Sequence, residues 1–99
     1  MQRRQCYNSG KIGGLPLPVA ARKFHLADKE IMELGYIPVN PIKNCLKWSD
    51  PWILHMIVDV CNMIGCNAVF FQKDWRDSKG ARIEYKIAKF LGKELIFQK

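Results

Sequence analysis

The sequence contains no apolar run approaching the roughly 20 residues of a membrane-spanning helix, and no apolar stretch follows the two arginines of its opening MQRRQCYNSG. The expectation is a cytoplasmic protein with neither a signal peptide nor a membrane partner. The four cysteines, Cys6, Cys45, Cys61 and Cys66, form no C-x-x-C pair, and three lie in apolar surroundings. Buried reduced thiols are expected in place of a disulfide framework or a zinc site. Neither a G-x-G-x-x-G fingerprint nor a Walker loop is present, and there is no internal repeat or low-complexity segment. Lysine and arginine, 16 in all, never cluster into a run of five. The net charge of +7 therefore suits a solvated surface or a small anionic ligand, and no specific nucleic-acid partner is expected. Carboxylates are scarce, nine against those 16 cations, so where they fall is informative.

What is present is a 99-residue chain, 48% hydrophobic and 25% charged, enough for one domain spanning 1–99 around a single modest core. VAARKFHLADKEIMELG places Ala20, Phe24, Ala27, Ile31 and Leu34 at helical spacing and stops at Gly35. YIPVNP reads as a short strand, with Pro38 marking it as an edge. SDPWILHMIVDVCNMIG reads as a second helix, capped by Ser49 or Asp50, with Pro51 in its first turn and Gly65 at its end. NAVFFQ is a buried strand, SKGARIEYKIAKFLG a third helix capped by Ser78, and ELIFQ a last strand. Such alternation implies right-handed βαβ crossovers and a parallel sheet with helices on both faces. The missing first strand must be RRQCYNS, which is polar for a central parallel strand.

Within the third helix one charge is out of place. The helical neighbours of Glu84 are Gly80, Ala81, Ile87 and Ala88, all small or apolar, whereas Arg82, Lys86, Lys89 and Lys93 form a separate solvated face. With four strands in the order 2-1-3-4, the switch point lies between strands one and three, and ligands bind open parallel sheets beyond the carboxyl ends there. Glu84 then sits two turns into the helix at that crevice. It either faces a ligand or snorkels from the edge of the apolar stripe to water or a lysine. Across the crevice runs SGKIGGLP, a glycine-rich turn with Lys11, which either presents backbone N–H groups to an anion or simply needs positive φ.

YNSGKIGGLP, ELGYIPVNP, KWSDPW, CNAVFFQKDW and DSKGARIEYKIAKFLG together resemble a family of small bacterial and phage proteins of unassigned function, from about Cys6 to Phe97. That family is similar to the nucleoside 2-deoxyribosyltransferases and the 2′-deoxynucleoside 5′-monophosphate N-glycosidases, a fainter likeness resting on a few positions. The resemblance implies a flavodoxin/Rossmann-like three-layer α/β sandwich in which Glu84 attacks the anomeric carbon of a deoxyribose, Tyr7 hydrogen-bonds that nucleophile, and Asp59 serves the departing base. It further implies a ligand-binding set of Ser9, Gly10, Lys11, Ile12, Gly13, Gly14, Ser78, Gly80 and Arg82. Ser78 stands where the monophosphate glycosidases have a serine, which with Lys79 and Lys11 favours a 5′-phosphate. Two positions depart from the enzymes: Arg82 replaces a small residue, where it would obstruct the pocket or grip a phosphate, and Asn67 replaces a second aspartate. Asn67, Asn8 and Arg82 favour the alternative, a nucleotide-binding module without turnover. Trp75 is a candidate for stacking on a base, whereas Trp48 and Trp52 are expected to pack at the start of the second helix, and His25 and His55 to be surface or packing residues. No cofactor or metal is expected, and the enzymes' oligomeric state implies a homo-oligomer.

Overall fold

The computed structural model describes residues 4–43 and 52–99. Four strands, β1 (Gln5–Ser9), β2 (Ile37–Val39), β3 (Ala68–Phe71) and β4 (Glu94–Phe97), alternate with three helices, α1 (Leu17–Glu33), α2 (Trp52–Ile64) and α3 (Lys79–Phe90). The sheet is entirely parallel in the order β2-β1-β3-β4, as the alternation of units implies. Residue pairs Cys6–Ala68, Tyr7–Val69, Asn8–Phe70 and Ser9–Phe71 set its central register.

Because side chains alternate along a strand, this register divides the core in two. Cys6, Ala68 and Phe70 pack against Ala27 and Ile31 of α1 on one face. Tyr7, Val69 and Phe71 pack against Met63 of α2 and Ala88 of α3 on the other. The result is a three-layer α/β sandwich of the flavodoxin-like kind. α1 buries Ala20, Phe24, Ala27, Asp28 and Ile31, a helical stripe with one carboxylate in it. Ser78 caps α3, its Oγ accepting from the Ala81 N–H at 3.2 Å. No helix among the described residues is long and apolar enough to cross a membrane.

The polar β1 is nevertheless central. Asn8 and Ser9 are fully buried because each finds a partner in the layer it faces, Asn8 in α1 and Ser9 in α3. Cys6 and Cys66 are buried free thiols, and burial pushes them up to about 12 and about 11. Cys61 departs from the expectation: it lies on the outer side of α2, exposed to solvent. Cys45, Trp48 and the expected caps Ser49 and Asp50 lie outside the described residues.

Candidate functional site

At the carboxyl ends of β1 and β3, where the strand order reverses, the chain surrounds a cavity of about 670 Å³. Five separate segments form it: the end of β1 with the glycine-rich loop, the start of α1, the turn after β2, the middle of α2 and the first turns of α3. Parallel topology alone brings them together, since every strand ends on the same side.

Glu84 forms part of the wall and is only 4% exposed. It is carried there by α3, whose next inward positions, Ala81 and Ala88, are also buried. Ser9 Oγ donates to Glu84 Oε1 at 2.9 Å, whereas Oε2 has no hydrogen-bond partner. Ser9 and Tyr7 lie two apart on β1 and so face the same layer; the Tyr7 hydroxyl beside the carboxyl favours its charged form, and the Glu84 charge acts in turn on Tyr7. Burial raises the Glu84 pKa to about 7; the Ser9 hydroxyl opposes that rise, the Asp59 charge adds to it, and Tyr7 again opposes it. Near neutrality the group is close to half ionised. Burial, and next the Glu84 charge, hold Tyr7 well above the ordinary phenol range, so its hydroxyl stays protonated.

Space beside the carboxylate comes from Gly80 and Ala81. A Cβ on Gly80 would stand 3.0 Å from Met56 Sδ of α2, which leaves no slack between the two helices. Gly10 is tighter still, since a Cβ there would lie 2.6 Å from Gln72 Cδ. Gln72 cannot easily yield: its Nε2 donates to Asn8 Oδ1 at 2.7 Å, and its Oε1 accepts from Lys23 Nζ at 2.5 Å. The same network continues in both directions. Asn8 Nδ2 donates to Asp28 Oδ1 and the Phe24 carbonyl, Asn40 Nδ2 donates to Asp28 Oδ2, and Asn40 Oδ1 accepts from the Ile42 N–H. On the other side Lys23 pairs with Asp74 at 3.0 Å, and Asp74 accepts from the Lys11 N–H. One chain of polar contacts thus ties the Ile42 turn to the glycine-rich loop beneath the cavity.

Most residues singled out from the sequence line this cavity. Tyr7, Asp59 and Glu84 do so, as do Ser9 to Gly14 and, at the start of α3, Ser78 and Gly80. Three assignments change. Arg82 is exposed and lines a separate depression with Trp75, so it neither obstructs the cavity nor reaches into it. Trp75 packs against Phe71, Tyr85 and Phe97, with ring centroids 4.8 to 5.9 Å away, and lines that separate depression instead of this cavity. His55, expected at the surface or in packing, is half-buried in the cavity wall one helical turn before Asp59. Asn67 lies at the opposite end of the sheet, where its Oδ1 accepts from the Gln5 N–H. No second carboxylate could act on the cavity from that position.

Asp28, Asn40 and Gln72 were not anticipated. The signal that exposes Glu84 also exists for Asp28, whose helical neighbours include Phe24 and Ile31, but Asn40 and Gln72 end their strands with no such mark. The wall carries both signs of charge, with Lys11 and Lys79 near Asp59, Asp77 and Glu84. Such a site can place a half-ionised carboxylate against a polar ligand whose anionic group is met by lysines and loop N–H groups. No curated protein matches the chain. From residue 4 to residue 97 it matches the family described as a domain of unknown function (DUF4406), and to that family it belongs.

Proposed function

We propose that this is a nucleoside 2-deoxyribosyltransferase-like protein acting on the N-glycosidic bond of a (deoxy)nucleoside or its 5′-monophosphate. The observation that carries the reading is the buried Glu84 carboxyl, held by Ser9 through one oxygen and without a partner on the other, in the wall of a cavity of nucleotide size. In the proposed reaction a Glu84 oxygen attacks C1′ as the C1′–N bond breaks, and the bonding pair leaves with the base. The base takes its proton from a water that Asp59 orients. Water or a second base then attacks C1′, releases Glu84 and restores the starting configuration. Ser9 and Tyr7 keep the carboxyl oriented throughout. Lys11, Lys79 and the Ser9–Gly14 loop receive a 5′-phosphate, whereas the Ser78 hydroxyl, already used to cap α3, contributes mainly by starting that helix there.

The reading includes a cytoplasmic setting and a homo-oligomer. Its test is incubation with the four deoxynucleoside 5′-monophosphates and the free deoxynucleosides, with released base followed by chromatography. Release by the parent and its loss by at least a thousandfold in Glu84→Gln is the expected outcome. Absence of release from every substrate, with or without an acceptor base, would sink it. A second reading, a module that binds a nucleotide without turning it over, is favoured by one feature: Oε2 is withdrawn from solvent. Nucleotide binding that is equally tight in the parent and in Glu84→Ala, without base release, would establish that reading instead.

A further inference from the structure

Lysine and arginine are dispersed along the sequence, but the fold gathers four of them around one depression. Arg76, Lys79, Arg82 and Lys86 line a hollow of about 420 Å³ on the outer side of α3, and no acidic side chain among the described residues lines it. Its floor is aromatic. Trp75 and Tyr85 stack at 4.8 Å with 29° between their planes, and both are half-buried and line the hollow. Arg76 lies over the Trp75 ring at 5.4 Å. Behind them Phe71 and Phe97 hold the pair in place.

Cations around an aromatic floor are what single-stranded nucleic acid requires, because its phosphates need countercharge and its unpaired bases need a face to stack on. The hollow also lies next to the cavity, since Lys79 lines both. From Lys79 to Lys86 the helix advances about 10 Å, enough for more than one phosphate. We infer that this face of α3 binds a single-stranded oligonucleotide without sequence preference. Resting on the function proposed above, the cavity then receives a nucleotide carried at the end of a strand.

Fluorescence anisotropy with labelled (dT)12 tests the binding, using Glu84→Gln so that no turnover intervenes. The expected result is binding accompanied by quenching of Trp75 emission, identified by its loss in Trp75→Phe. Affinity should fall with salt along a log–log slope of roughly −2 to −3, as three or four phosphate contacts on a single strand give. Arg82→Glu combined with Lys86→Glu, both at exposed positions outside the core, should weaken binding at least tenfold and flatten the slope by about 1.4. No binding at 50 mM salt, undiminished binding in the double variant, or equal affinity and quenching with dextran sulfate would each overturn the inference. So would a double variant that alters only self-association, which would mean that a second copy covers the face. Strand binding does not depend on base release from mononucleotides, so either result can fail while the other stands.

Discussion

Glu84 couples stability and chemistry through one proton. Its folded pKa of about 7 lies above the ordinary 4.5, so between those values the unfolded chain ionises while the folded chain keeps its proton. Below 4.5 both states are protonated and nothing is lost; stability then declines up to about pH 7 and levels off above it. A shift of this size corresponds to on the order of 3 kcal/mol. Glu84→Gln should therefore unfold at higher urea than the parent at pH 8 and close to it at pH 4.5. Equal midpoints at both values would mean that the carboxyl is not desolvated. The proposed nucleophile must be ionised, so kcat/KM should fall as pH drops through about 7, well above an ordinary glutamate. Ser9→Ala removes the donor that opposes the burial effect. That variant should move the acidic limb of the profile to higher pH, and an unmoved limb would separate Ser9 from the ionisation.

At the scale of elements, the contacts running through Asn40, Asp28, Asn8, Gln72 and Asp74 make β1 a structural junction despite its polar sequence. Asp28 accepts from two amide groups, so Asp28→Asn must turn a donor toward one of them. The expected cost is about 1–3 kcal/mol, visible as a lowered thermal midpoint. Gly10 offers a sharper test because its clash has a single named partner. Gly10→Ala should destabilise the parent, and in a Gln72→Ala background most of that loss should disappear, a coupling on the order of 1 kcal/mol or more. Additive losses in the cycle would show that the loop is held by something other than Gln72. The network also explains what local pattern could not reveal. Hydrophobic periodicity located all three helices and three of the strands, whereas β1 was legible only by elimination, since its burial depends on partners 16 to 75 residues away.

At the scale of the whole molecule, the parallel order made the cavity's position legible, because alternation fixes where the strands end. The place of Glu84 followed from it, whereas Tyr7 and Asp59 came from the family resemblance, and the surroundings of Trp75 and Arg82 came from neither. Both sit near Glu84 in sequence, and sequence proximity says nothing about which side of α3 they occupy; Trp75 belongs with Phe71 and Tyr85, and Arg82 with the outer face. A cavity assembled from five segments, from Tyr7 at one end of the chain to Glu84 at the other, exists only when the domain is folded. A ligand bound there must then raise the stability of the whole, by about 2.7 kcal/mol at a concentration a hundredfold above its Kd. For a domain of this size that corresponds to a rise in Tm of roughly 10–20 °C. Deoxynucleoside 5′-monophosphates should produce such a rise in Glu84→Gln, where turnover cannot consume them. The corresponding nucleosides should produce less of it, because they lack the group that Lys11, Lys79 and the glycine-rich loop would meet. Equal shifts from both would remove the phosphate from the recognised ligand, and no shift from either would remove the nucleotide from the cavity.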